Sequence, residues 1–173
     1  MGRSEHKNQT CGVQVCLVDG TLCPCWSYHD HNELWTRKQG TTGHNVQVVT
    51  GLFGDVLVVS DPVPGSVHDA AAVTDGTPVD EILRHSGGTI ADKGYQGCGY
   101  ATPRTKPKGG ELSVGDKREN ANVSRLRAPV ERTISHLKGW RILHSDYRRP
   151  LRTYLTSFRA ALGLFFFRAA TVE

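Results

Sequence analysis

Residues 45–60 read NVQVVTGLFGDVLVVS. Two valine-rich runs, Asn45 to Thr50 and Val56 to Ser60, flank the turn Leu52-Phe53-Gly54-Asp55. β-Branched side chains crowd a helix but fit a pleated surface, so both runs predict strands. A connection this short returns the chain on itself, which predicts an antiparallel hairpin. Valine on both faces further predicts central strands covered by helices.

Upstream, Gly12 to Leu22 holds Val13, Val15, Leu17 and Val18 and predicts a first strand that ends near Asp19-Gly20. The polar stretch Pro24 to Gly43 predicts a loop. Downstream, Pro62 and Pro64-Gly65 break the chain. Ser66 is expected to cap a helix whose third residue, Asp69, closes a capping box; that helix stops near Gly76. A second short helix begins at Thr77-Pro78, with proline in the permitted first position. Thr89 to Asp92 predicts a short strand ending in an acid, and Tyr100 to Thr105 an edge strand limited by Pro103. From about Asp116, Val123, Leu126, Val130, Ile134 and Leu137 recur at helical spacing, with Pro129 expected to kink the helix or mark a restart. Tyr154 to Ala170 predicts a final amphipathic helix. Strands first, then strands alternating with helices, predict an α/β fold with a mixed sheet flanked by helices.

The 173 residues suit one domain with a sizeable core. We expect a disordered tail over residues 1–10 and one domain over residues 11–173. Residues 1–100 carry 6 Lys/Arg against 11 Asp/Glu, and residues 101–173 carry 15 against 6. An acidic half beside a basic half suggests carboxylates gathered around cations next to a surface that meets a polyanion. Five cysteines without the spacing of a disulfide framework point to a reducing compartment. Met1 to Thr10 lacks the apolar core of a secretory signal. Ala160 to Phe167 is far shorter than the roughly 20 residues of a membrane span and reads as a buried helix. No membrane partner is expected.

Three acids stand where a sheet-based site would want them. Asp19 and Asp92 end predicted strands, and Glu131 lies on the long helix with Arg127, Ser135 and Lys138 at helical spacing. Carboxylates brought together from three elements repel one another unless cations neutralise them. Hard oxygen ligands select Mg²⁺ or Mn²⁺, and two such ions suit in-line phosphoryl transfer. Lys93, Arg127, Lys138, Arg141, Arg148, Arg149 and Arg152 are candidates for phosphate contacts. His68 reads as a surface histidine at a helix start. Trp140 reads as packing for the long helix. Cys23, Cys25, His29 and His31 have soft-ligand chemistry, but their spacing matches no standard zinc finger.

The segments VDGT (18–21), TTGHNVQVV (41–49), PGSVHDAA (64–71), ADKGYQG (91–97) and APVERTISHLKGWRIL (128–143) occur in this order. Together they resemble the DDE-superfamily endonuclease domain of bacterial insertion-sequence transposases, in the branch related to Harbinger-type elements. The resemblance spans nearly all of residues 15–168. It implies a ribonuclease H-like fold and two divalent ions, Mg²⁺ or Mn²⁺. It also implies cleavage of double-stranded DNA at element ends, followed by strand transfer into target DNA. On it, Asp19 corresponds to the first acid, Asp92 to the second and Glu131 to the third. Asp69 is a site acid, and so a metal ligand, in part of the family. A homodimer in the active state and a bacterial, nucleoid-associated cytoplasmic location are expected. Such transposases usually carry an N-terminal helical recognition segment. Here only residues 1–11 precede the first predicted strand, so a shortened copy is expected. A hydrolytic nuclease of the same fold and an inactive remnant that only binds DNA remain open alternatives.

Overall fold

The computed structural model describes residues 14–26 and 30–171. The expected tail over residues 1–10 and the candidate ligand His29 lie outside them. In chain order the elements are β1 (Val15–Pro24), β2 (Trp35–Thr36), β3 (Thr41–Gly51), β4 (Val56–Val59), β5 (Val63–Pro64), α1 (Asp69–Ala72) and α2 (Pro78–His85). They continue with β6 (Gly88–Ile90), α3 (Val114–Leu137), α4 (Arg141–His144) and α5 (Tyr154–Thr171).

The sheet order is β2-β3-β1-β6, with β4 and β5 also pairing β3. β1 and β3 run antiparallel, with Asp19 opposite Val48 and Gly20 opposite Gln47. β6 joins β1 in parallel, and only over Val15 to Leu17, so the edge of β1 beyond Leu17 is open on that side. The expected hairpin is present: β4 returns antiparallel to β3. This mixed sheet flanked by helices is ribonuclease H-like.

Alternation along the strands separates two cores. Leu17, Val46 and Val48 pack with Val130 and Leu137 of α3 and Phe158 of α5. Cys16, Val18 and Val49 face the other way, onto Val79 and Leu83 of α2 and onto Ala91 and Tyr95. Val46, Val48 and Val49 are fully buried, as expected for the central strand of a covered sheet.

Several local expectations are corrected by tertiary pairing. The first strand does not stop at Asp19-Gly20; it runs to Pro24, because β3 supplies a partner for every residue from Cys16 onward. Asp19 therefore stands in mid-strand. The stretch from Pro24 to Gly43 is not all loop, since it holds β2 and the start of β3. Ser66 does not cap α1. Its backbone N–H is held by the Glu33 carbonyl at 3.0 Å, and His68 takes the cap position without a side-chain bond. Asp69 is then the first residue of α1 and closes no capping box. Tyr100 to Thr105 contributes a single bridge, Ile90 to Ala101, and no strand.

α3 begins earlier than expected, at a capping box formed by Ser113 and Asp116, and runs unbroken through Pro129. The carbonyl that loses its helical partner belongs to the exposed Arg125, where water can serve it. Of the expected apolar stripe, Val130 and Leu137 are buried while Leu126 is half exposed. Ala160 to Phe167 is not wholly buried either. Tyr154, Phe158 and Ala161 enter the core and Leu162 and Phe165 pack against it, but Leu164, Phe166 and Phe167 lie off that helical stripe and remain exposed. Among the described residues no helix is long and apolar enough to cross a membrane.

This division of α5 predicts unequal mutational costs. Phe158→Ala should destabilise the chain by about 3–5 kcal/mol in urea unfolding, as for a fully buried aromatic. Phe167→Ala should change stability by less than about 0.5 kcal/mol. Equal effects would mean that the end of the helix is packed in solution.

Candidate active site

Asp19 projects from β1 toward α3. Its Oδ1 accepts from the backbone N–H of Gly20 at 3.0 Å, and its Oδ2 accepts from Nη2 of Arg127 at 2.7 Å. One turn further along α3, Oε1 of Glu131 lies 3.6 Å from Nη1 of the same guanidinium. Asp19 and Glu131 thus share one face of the sheet and one cation. The side chains of Arg127, Asp19 and Glu131 are 12%, 16% and 53% exposed respectively. The pairing is therefore largely shielded from water on the Asp19 side.

Asp92 follows β6 where the chain leaves the sheet beside the open edge of β1. Its side chain accepts from the Gly94 N–H at 2.8 Å and caps the turn that begins at Lys93. Asp69 reaches the same edge from the opposite face. A Cβ at Gly20 would stand 2.9 Å from Asp69 Cγ, and one at Gly94 would stand 2.7 Å from Asp69 Oδ2. Both positions admit only glycine while Asp69 stays in place.

A buried relay holds Asp69 there. The Tyr95 hydroxyl donates to Gln47 Oε1, Gln47 Nε2 donates to Asn45 Oδ1 at 3.1 Å, and Asn45 Nδ2 donates to Asp69 Oδ1 at 2.8 Å. Asn45, Gln47 and Tyr95 were not singled out from the sequence. The available signal was a pair of amides two residues apart in a valine strand, hence on one face of it. Lys38 adds a cation 3.6 Å from Asp69. On this second face a cavity of about 650 Å³ opens beside Asp69, lined by Trp35, Lys38, Asn45 and His68 among others.

The electrostatics follow from this crowding. Burial first, then the like charges of Asp92 and Glu131, push the Asp19 carboxyl up to about 6 against the pull of Arg127. The Tyr95 hydroxyl is raised well above its ordinary value by burial and by Asp69, Asp19 and Asp92. Asp69 thus crowds Gly20 and Gly94 from one face, with Asp92 also close to Gly94, while Asp19 and Glu131 share Arg127 on the other. All candidate donors are hard oxygens, and their chemistry fits Mg²⁺ or Mn²⁺. Among the described residues, however, no three His, Cys, Asp or Glu side chains are grouped to hold one ion. The donor set suits a divalent ion, while the spacing is that of a site whose cation is a guanidinium.

The basic candidates divide. Lys93 is exposed beside Asp92, and Arg127 lies among the acids. Lys138 ends α3, about 10 Å along the axis from Glu131. Beyond it, Arg141, Arg148 and Arg149 line a common hollow with His144 and Tyr147. That hollow is tied to the end of β1 by Trp26 N–H to Tyr147 C=O (3.0 Å) and Tyr147 N–H to Pro24 C=O (3.1 Å). The Arg148 guanidinium stacks 4.2 Å over the Trp26 ring. Arg152 is exposed nearby in sequence.

The soft-ligand candidates go elsewhere. Cys23 and Cys25 enter the core, where burial pushes their thiols up to about 11 and about 12. Cys25 Sγ lies 3.2 Å from Nδ1 of His44, which burial depresses to about 4. His31 pairs with Glu33 at 2.8 Å. Trp140 packs against the core below α3, as expected.

Residues 18–165 match the family model described as DDE superfamily endonuclease. The chain is 34% identical over 112 residues to a protein of Microchaete diplosiphon named as a transposase for insertion sequence element IS702, covering 61% of this chain and 39% of that protein. It is 33% identical over 132 residues to a protein of Streptomyces albus G named as a transposase for insertion sequence element IS112, covering 75% of this chain and 49% of that protein. The chain thus spans less than half the length of these curated relatives. No solved structure matches it. The chain belongs to the DDE superfamily endonuclease family.

The causes acting on Asp19 give a directional test. Its carboxyl should titrate near pH 6 by ¹³C NMR, higher in Arg127→Gln and lower in Glu131→Gln. Its folded value exceeds the ordinary 3.8, so the folded state holds the proton longer. Stability should then fall by roughly 3 kcal/mol as pH rises from about 4 to about 6. A normal Asp19 titration would remove the crowding on which this reading of the site rests.

Proposed function

We propose that residues 11–173 act as the catalytic unit of an insertion-sequence transposase, cutting DNA at the element's ends and joining the released 3′ end to a target. Membership in the endonuclease family supports this reading. The single observation that carries it is the meeting of Asp19 and Glu131 on one guanidinium, with Asp92 near enough to raise the Asp19 carboxyl.

In this proposal Asp19, Asp92 and Glu131 hold the divalent ions, and Asp69 supports the site from the other face of the sheet or contributes a further ligand. Divalent ions held there would supply Lewis-acid stabilisation to the attacking and leaving oxygens of a phosphoryl transfer. The chain's own residues do the rest. Lys93 and Arg127 take phosphate oxygens next to the scissile bond, and Lys138 with Arg141, Arg148 and Arg149 holds the duplex further along. The relay from Tyr95 through Gln47 and Asn45 keeps Asp69 oriented. Double-stranded DNA is the partner, and a homodimer would bring two element ends together.

Asp19→Asn, Asp92→Asn and Glu131→Gln should each abolish Mg²⁺-dependent nicking of a duplex while the circular dichroism spectrum is unchanged. Full activity in any one of them would remove that residue from the site. Labelled 3′ ends that appear joined to a second duplex support transposition, whereas cleavage without joining would reassign the chain as a hydrolytic nuclease. Arg148→Ala with Arg149→Ala should weaken DNA binding evenly across sequences and flatten the slope of log affinity against log salt by about 1–2. An unchanged slope would take both arginines off the DNA path.

A further inference from the structure

The geometry around Arg127 is that of an occupied cation site. Its side chain is less exposed than that of either acid it touches. It engages Oδ2 of Asp19 while the Gly20 N–H engages Oδ1, so both Asp19 oxygens already have partners. It also spans to Glu131, a second of the three proposed ion ligands. A divalent ion entering between these two carboxylates would meet a positive charge within contact distance.

The arrangement is also incompletely satisfied. Arg127 Nε is buried without a hydrogen-bond partner, so the guanidinium is held through its outer nitrogens alone. The adjoining turn of α3 is open to solvent: Ser124, Arg125 and Leu126 are all exposed. A swing of the arginine outward therefore has room. The ligand that competes best with a carboxylate for a guanidinium is a phosphate, which takes the same paired N–H geometry.

We infer that Arg127 is the resting counter-cation of this site and gates divalent-ion loading, releasing Asp19 and Glu131 when a DNA phosphate takes the guanidinium. The inference rests on the DNA-processing reading above. Its consequence is reciprocal coupling: DNA raises the chain's affinity for the ion, and the ion raises its affinity for DNA by the same factor. A free chain with its own cation in place binds the ion poorly and is guarded against cleaving without a substrate seated. Lys38 beside Asp69 and the lack of any ion pair to Asp92 among the described residues leave Arg127 as the cation on the Asp19 side.

Mn²⁺ titration of the whole chain, followed by electron paramagnetic resonance with a duplex-only blank, tests this. In the absence of DNA, Arg127→Gln should bind Mn²⁺ at least about tenfold more tightly than the wild type, and Arg127→Lys should stay close to the wild type. A short duplex of arbitrary sequence should tighten Mn²⁺ binding by the wild type and leave Arg127→Gln unchanged. Equal Mn²⁺ affinities of the wild type and Arg127→Gln without DNA overturn the gate.

A second measurement needs no variant that might misfold. In the wild type, the NMR signal of the Arg127 Nε–H should hold its position when Mg²⁺ alone is added and move when Mg²⁺ and the duplex are added together. Movement with Mg²⁺ alone overturns the coupling. A wild-type chain that binds no duplex at low salt overturns the DNA reading and the coupling with it, while the duplex-free Mn²⁺ comparison still judges the gate.

Discussion

Like charges do not gather in a protein without something to offset them, and here one arginine pairs with two of four nearby acids. Asp19, Asp92, Asp69 and Glu131 come from a strand, a turn and two helices. Burial, with the like charges of Asp92 and Glu131 behind it, lifts the Asp19 carboxyl to about 6 despite the adjacent guanidinium. Much of the architecture serves to make that concentration of charge tolerable. The Gly20 and Gly94 backbones come close enough to serve as donors, and a relay of buried amides ties Asp69 from the far face. Arg127 sits between the two acids that face α3.

The sheet supplies the rigidity this needs. β3 is covered on both faces and paired along its length, so Asn45 and Gln47 cannot shift without disturbing Val46, Val48 and Val49. Close packing transmits that constraint to the acids. β6 pairs β1 only as far as Leu17 and so stops short of Asp19. A site at the edge where one parallel strand ends combines a fixed floor with access.

The distribution of charge along the chain also becomes intelligible in three dimensions. The basic half is not a uniform coat. α3 carries Arg127 into the acid cluster, Lys138 ends the same helix, and Arg141, Arg148 and Arg149 surround a hollow fastened to the end of β1. The first strand thus links the acids at its middle to the arginines at its end.

The sequence by itself was enough for the hairpin, the mixed α/β class and the long helix, because strand and helix periods are local; it offered Asp19, Asp92 and Glu131 as candidates, because a carboxylate's chemistry travels with the residue. It also carried the basic bias of residues 101–173, since charge is additive along a chain. Tertiary structure decided what local signals could not. Asp-Gly at 19–20 looked like a strand end, yet β3 pairs through it; Ser66 looked like a cap, yet the Glu33 carbonyl holds its N–H; residues 160–167 looked buried, yet only one stripe of that helix meets the core. The relay through Asn45, Gln47 and Tyr95 and the placing of Arg127 between Asp19 and Glu131 join residues far apart in the chain. Such contacts have no periodicity to read, because they depend on which surfaces packing brings face to face.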